Sequence, residues 1–521
     1  MEKLNEICNY SKGDAANQEM ERLPPLFEED DSSDRFSSSK VYDHQLDALF
    51  QDTTPPLCSY EHKMQELEAI ESQYFKLIKP PARSQGGMAS SEVSDQRKLS
   101  TDEVIRLGGE RFIKSRSLNS TKGMLESTHP YAGSFMGLLG QELKDVQLIE
   151  NLLLSSEKVA QQQFDRSRKL LDWCDALSSS SGNPIQRIVY YFSKALREKI
   201  DRETGRISSF TGSGKKNEHD TQGRIMNTTM TRLSIYQKLP FYQVGHFSAV
   251  QALVDRVSKA KRVHVVELAI RQGVHTMILM QALASQPEPI KHLKITAVGT
   301  GFEKQIQQTG GHLKSFAESI NLSFSYNVVI VEDMLEFNID LLELNPREAL
   351  GVFSMYGLWS MIGQQDRLES LMKVLKSIKP RVMVMCEVAT NLNSPNFVNR
   401  LIEALFHYGA VFDSLEDCMD GEDEHRGITE SMYLGEGIRS IVAAEGAERA
   451  VRHVNLNVWR KFFARFGMKE IGFSASSLYQ AKLVAGKFPC GSCCTFDMDG
   501  KSIKIGWKGT PIECLSAWKF S

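Results

Sequence analysis

The sequence has no run of about 18 apolar residues, which excludes a membrane-spanning helix. It has no GxSxG, no P-loop and no HExxH, and its 12 histidines are dispersed. The linear signatures of serine hydrolases, phosphate-cradling loops and zinc proteases are thus missing. Its nine cysteines are odd in number and scattered, so they form no disulfide framework and read as reduced and intracellular. Only Cys490-Gly491-Ser492-Cys493 has ligand-like spacing, and no second pair follows to complete a zinc site. The N-terminus opens with Glu2, Lys3, Asn5 and Glu6 and carries no apolar stretch of a secretory signal.

Charge of one sign is also lacking overall. The net is −3, with 62 basic and 65 acidic side chains among 521 residues. Residues 1–60 alone contain 13 acidic and 5 basic side chains, leaving the remainder at about +5. A body so mildly positive does not match the basic face of an autonomous DNA binder, whose affinity rests on neutralising phosphates. DNA is therefore expected to be contacted mainly indirectly.

Residues 1–130 read as a disordered acidic tail, with the run 28–31, the serines 37–39, Pro55-Pro56, Pro80-Pro81 and Gly86-Gly87. Such a composition buries too little apolar surface to offset chain entropy. From about Gln141 the pattern turns helical. Ile185, Ile188, Val189, Phe192, Leu196 and Ile200 share one face, with Asn183 placed as cap and Pro184 at the first position. Leu148, Leu152 and Leu153 make an apolar stripe that fits either a bundle core or a dimer or partner face.

Beyond residue 260 the period changes. Short apolar runs at 263–266, 295–298, 328–331, 352–355 and 382–388 alternate with amphipathic segments near 274–283 and 371–378. Strands of this kind, apolar on both faces and separated by helices, predict a parallel sheet covered on both sides. Segments 469–473, 501–507 and 515–520 read as antiparallel edge strands.

Val263-His264-Val265-Val266-Glu267, followed by a loop with Gly273 and a helix, resembles the opening unit of a Rossmann-type cofactor site. That loop holds one glycine where a nucleotide or S-adenosylmethionine site uses several, and 295–298 runs into Gly299-Thr300-Gly301 with no acidic residue for a ribose. No cofactor is expected. An S-adenosylmethionine-dependent methyltransferase, or a small-molecule sensor reusing a degenerate pocket, remain the alternative readings.

The same residues, with Gln281-Ala282-Leu283 after them and Phe241-Tyr242 and His246-Phe247 before them, resemble the VHIID region of GRAS proteins. Asn183-Pro184, Gln186-Arg187 and Tyr191-Phe192 resemble the end of that family's first leucine-rich helical region. The stretch 441–446 with Glu445 and Gly446, then Arg449, Arg452, His453 and Trp459, is similar to its PFYRE region. Gly506-Trp507-Lys508 and Ser516-Ala517-Trp518-Lys519 resemble its closing SAW motif. Departures mark a divergent member: Glu267 stands for the usual aspartate, and Thr276-Met277 for Trp-Pro.

The resemblance implies an α/β fold, with a Rossmann-like, degenerate methyltransferase-like core under a helical cap. It places a GRAS domain at 131–521, with the leucine-rich cap at 131–235 and the α/β core at 236–521. It implies a non-enzymatic plant transcriptional regulator in the nucleus, binding DNA-binding transcription factors and other GRAS proteins. His246, His264, Trp459, Trp507 and Trp518 are expected in the core. Arg187, Arg449 and Arg452 are expected in ion pairs with Glu267, Glu445 or Glu448.

Overall fold

The computed structural model describes residues 99–118, 140–206 and 221–521. Five parallel strands form its centre: β1 (Arg262–Leu268), β2 (His292–Gly299), β3 (Phe324–Ile330), β4 (Ala349–Met355) and β5 (Val382–Val388). Helices α7 (Val274–Ala284), α8 (Glu303–Ser319) and α9 (Gln365–Ile378) make crossovers between them. The C-terminal strands β6 (Met468–Ile471), β7 (Cys494–Asp499), β8 (Ser502–Trp507) and β9 (Thr510–Phe520) extend the sheet. The order is β3-β2-β1-β4-β5-β9-β8-β7, with β9 antiparallel to β5, and β6 paired to the far end of β9. The parallel sheet is the one that the alternation of runs predicts, and its order is that of the Rossmann-like, methyltransferase-like core that the resemblance implies.

Both faces of the sheet are buried, and the period of two decides which residue goes where. On one face Val263, Val265, Val382 and Val384 pack against α6 (Pro240–Val257) and α14 (Ala475–Ala485). On the other, Val266, Leu268, Met383 and Met385 meet α9 and α13 (Leu456–Arg465).

The cap is built from α1 (Thr101–Leu118), α2 (Gly140–Ala160), α3 (Phe164–Leu177) and α4 (Pro184–Glu203), together with two later helices. These are α10 (Phe397–Cys418) and α12 (Gly435–Val442), so the cap is assembled from two distant parts of the chain, not from 131–235 alone. Long-range packing of this kind leaves no mark in a local pattern. Between them lie α11 (Asp423–Ile428) and a π-helical turn (Thr429–Leu434); α5 (Thr221–Lys238) leads from the cap to α6.

The expected tail boundary also moves. Residues 101–118 are a helix, and Val104, Ile105, Leu107 and Phe112 are buried in the cap core. Its start is a reciprocal capping box: Ser100 N–H donates to Glu103 Oε2 (2.8 Å) and Glu103 N–H to Ser100 Oγ (3.3 Å). Gly108 lets α1 lie directly on α2, since a Cβ there would come within 2.6 Å of Ile149. The rest of the expected tail, 1–98 and 119–130, lies outside the described residues. At α4 the anticipated cap is present, with Asn183 and Gln186 reciprocating and Pro184 in the first turn.

Phe112→Ala should therefore destabilise the whole protein by about 3–5 kcal/mol in urea unfolding, as for other fully buried aromatics. A change below about 1 kcal/mol would mean that α1 is not integral to the cap.

Candidate functional site

In doubly wound folds the ligand crevice lies beyond the carboxyl ends of the strands, where the strand order reverses. Here that point is between β1 and β4. The loop after β1 contains Ala269 and Arg271 at positive φ (76° and 51°), and Tyr356 after β4 is also left-handed (54°). Non-glycine residues in this region store strain that only surrounding contacts maintain. The contacts are visible. Gly357 sits so close that a Cβ would be 2.6 Å from the Leu268 carbonyl oxygen. Arg271 Nη2 donates to the Tyr356 carbonyl (3.4 Å), and its guanidinium lies 5.9 Å from the Tyr356 ring.

Many of the polar groups around the crevice are engaged with one another, although Glu387 Oε2, His246 Nδ1 and Ser354 Oγ are buried without a hydrogen-bond partner. Glu267 Oε2 bonds His275 Nε2 (3.0 Å), Thr276 Oγ1 donates to Glu267 Oε1 (3.4 Å), and His275 stacks on Phe353 at 4.9 Å. Glu387 accepts the Leu358 N–H (2.9 Å). Glu513 accepts from the Tyr356 hydroxyl and, at 3.7 Å, from Cys386 Sγ. Burial pushes both Glu387 and Glu513 up to about 8. His246 is held neutral by burial, well below its ordinary value, and packs edge-on to His275 at 5.6 Å. Gly273 adopts φ +68°, and a Cβ there would meet Thr309 at 2.8 Å, so glycine serves the packing of α8 on this loop. With Glu267 committed to His275, the loops after β1 and β4 in contact, and Gly299 in place of an acid at the end of β2, these residues do not fit S-adenosylmethionine.

The sequence-selected residues divide into groups. Trp507 Nε1 donates to Asp413 Oδ2 (3.0 Å) and Trp518 Nε1 to Ser516 Oγ (2.9 Å), so both SAW tryptophans are anchored inside. Trp459 stacks on Phe463 at 5.4 Å, while its indole nitrogen is buried without a hydrogen-bond partner. His264 Nε2 is bonded to Thr296 Oγ1 (2.8 Å), and its Nδ1 has no hydrogen-bond partner. Gln281 is on the surface, bonding Ser285 Oγ. Leu148, Leu152 and Leu153 are at most 1% exposed in the cap core, which leaves them no surface in this chain.

The expected ion pairs are redistributed. Arg187 pairs with Glu430 (2.9 Å) and Glu416 (2.8 Å), not with Glu267, Glu445 or Glu448. Glu445 instead joins Lys199 (2.9 Å) and Arg400 (2.5 Å), and Glu448 joins Arg202. Arg449 and Arg452 both donate to Asn393 Oδ1, and Arg452 also reaches the Gly446 carbonyl. The pairs clip α4 to residues 416–448 and so hold the two parts of the cap together. The structure brings the sulfurs of Cys418 and Cys490 together across 72 residues, a proximity that their spacing did not suggest. The cap also has an outer aromatic feature that periodicity did not reveal: Trp173 on α3 is 61% exposed, with Leu143 and Tyr190 exposed on α2 and α4.

The GRAS domain family model matches residues 148–519. The chain belongs to the GRAS family. Over 485 residues it is 26% identical to the DELLA protein GAI of Arabidopsis thaliana, covering 91% of this chain and 84% of that one. It is 28% identical over 378 residues to the Arabidopsis DELLA protein RGL3, covering 72% and 70%. The crystal structure of SCL7 from Oryza sativa superposes with a TM-score of 0.63 at 24% identity, covering 71% of this chain and 99% of that one. That GRAS likeness agrees with the fold, and with its relatives this chain is a GRAS-family plant regulator.

Two expectations follow. Removing Arg187 leaves Glu430 buried without its cation, so Arg187→Ala should cost about 3–5 kcal/mol in urea unfolding. A loss under about 1 kcal/mol would assign the pair no role. The acids at the crevice give a pH dependence. Glu387 and Glu513 stay protonated up to about pH 8 when folded, whereas their ordinary value is 4.5. Their contribution to stability therefore falls as pH rises from about 4.5 to 8 and levels off above. A Glu387→Gln/Glu513→Gln protein should gain on wild type by several kcal/mol between pH 5 and 8, at about 1.4 kcal/mol per pKa unit. An unchanged difference across that range would show both acids already ionised.

Proposed function

We propose that this GRAS protein is a nuclear transcriptional regulator that binds DNA-binding transcription factors and other GRAS proteins, acting without catalysis and without a cofactor. The observation that carries this reading is the contrast between the two faces described above. The crevice is filled by its own loops and side chains, while the cap presents Trp173 to solvent at 61% exposure. A helix-borne tryptophan in water is costly in apolar surface, and tryptophan is the side chain most often found at the energetic centre of protein interfaces. The near-neutral body supports contact with DNA mainly through a partner. The acidic N-terminal segment is assigned a regulatory role, and the GRAS domain the partner contacts.

The test is affinity purification of the tagged full chain from plant nuclei, with and without nuclease, beside a Trp173→Ala variant. Nuclease-resistant recovery of transcription factors, reduced about tenfold or more in the variant, is the expected result. Recovery only without nuclease would assign contact to DNA instead, and equal recovery by the variant would remove α3 as the docking face.

A further inference from the structure

A second feature lies at the opposite edge of the sheet from the crevice. A cavity of about 310 Å³ opens beside the amino ends of β1 and β4. Its floor is polar: His264 Nδ1 and Glu348 Oε2, 3.6 Å apart, are both buried and neither has a hydrogen-bond partner. The two side chains are only 1% and 5% exposed. Its walls combine the aliphatic Ile339, Leu344, Leu350 and Ile378 with the polar Asn345 and Ser377. Arg262 pairs with the other Glu348 oxygen, Oε1, at 3.5 Å, whereas Oε2 and the ring nitrogen make no hydrogen bond and leave room for a further donor. The imidazole is fixed from behind by Thr296, and burial lowers it to about 4, so it is neutral. The floor is therefore a carboxylate oxygen beside a neutral ring nitrogen, an arrangement that accepts an N–H or O–H.

The cavity does not stand alone. The loop leading to it, after β3, exposes Leu335 (49%), Ile339 (40%), Leu341 (37%) and Leu344 (38%). One loop holding four exposed large aliphatic residues beside a cavity is the pattern of an interaction site, not of scattered surface leucines. A free small molecule would fill the cavity and leave that patch in water; a polypeptide would cover both. The loop also sets the sign of what fits. Residues 332–346 contain five carboxylates and no cation. Asp333 is paired with Arg367 and Glu343 with Lys294, whereas Glu332, Glu336 and Asp340 join no ion pair among the described residues.

We propose that this cavity and loop form a docking site for a basic amphipathic segment of a partner protein. A tryptophan or tyrosine of that segment enters the cavity and donates its N–H or O–H to Glu348 Oε2, beside the His264 ring. The apolar face of the segment covers Leu335, Leu341 and Leu344, and its lysines or arginines meet Glu332, Glu336 and Asp340. The site is on the α/β core and does not depend on the cap surface bearing Trp173.

The experiment is selection of a phage-displayed random 12-residue library on the immobilised full chain, with counter-selection on an Ile339→Asp/Leu344→Asp protein. Both substituted side chains are at the surface, and equal melting temperatures establish that the variant is folded. Enriched peptides are expected to combine basic residues with tryptophan or tyrosine. Synthetic copies should bind the double variant at least tenfold more weakly in fluorescence anisotropy. Replacing the peptide aromatic by phenylalanine should cost about tenfold, the worth of one hydrogen bond to a charged group, and Glu348→Gln should weaken binding in the same direction. Peptides that bind the double variant equally well, or that enrich without basic residues, would overturn the docking surface. Equal binding by the phenylalanine peptide would overturn the anchor and leave the cavity to water.

Discussion

The carboxylate of Asp413 holds the two halves of this protein together. One oxygen accepts the Thr101 hydroxyl at 2.7 Å; the other accepts the Trp507 indole at 3.0 Å and the Lys508 ammonium at 2.7 Å. The first belongs to the start of the cap, the second to β8 and the third to the turn after it, while Asp413 is on α10, which runs between cap and sheet. A mostly buried carboxylate is tolerable only when its charge is compensated and its lone pairs are occupied. Each partner is therefore constrained by the need of the others, and Thr510 donating to Asp102 at 3.0 Å adds a second tie at the same junction. The tryptophan of the SAW region is in this sense a fold residue: its ring fills the core and its N–H completes the junction.

The crevice, at the same carboxyl end of the strands as Trp507, works by a related principle with the opposite sign. Glu387 and Glu513 have no cation in hydrogen-bonding contact, and burial keeps them protonated instead of paired. A protonated acid can serve as donor and acceptor inside a low-dielectric interior, which an ionised one cannot do without cost. Strained backbone at Ala269, Arg271 and Tyr356 is maintained by the same packing. In the crevice Glu267 is held by His275 and Glu513 by Tyr356 and Cys386, while Glu387 accepts one N–H and keeps its other oxygen without a hydrogen bond.

Much of this was readable in the chain, and the reasons are physical. Parallel strands buried on both faces must be continuously apolar, so 263–266 and 382–388 announced themselves without context. Asn183-Pro184 predicted its helix start because capping is local chemistry within four residues. The Ser100-x-x-Glu103 box that starts α1 was equally local, but the glycines 108 and 109 and the acidic, serine-rich chain before it obscured the signal. Arg187 was recognised as a candidate for burial, yet its partners Glu430 and Glu416 are more than 220 residues away, and nothing in spacing selects them over Glu445. The cap's second half was hidden for the same reason: α10 reads as an ordinary amphipathic helix until the sheet and the bundle claim different faces of it.

Arg187 and Arg400 also explain why a cap assembled from distant segments behaves as one body. Each guanidinium is 1% exposed, and each engages a carboxylate carried by residues 416–445 as well as a backbone carbonyl. Such pairs are a poor source of net stability, because desolvation consumes most of the Coulomb gain. Their value is geometric, since a planar fork fixes distance and orientation together, which apolar contacts alone do not. The leucine-rich faces supply the burial that folds the cap, and the arginines specify which segments may share it. The position of α3 relative to the sheet is therefore set by ion pairs that lie away from its outer face.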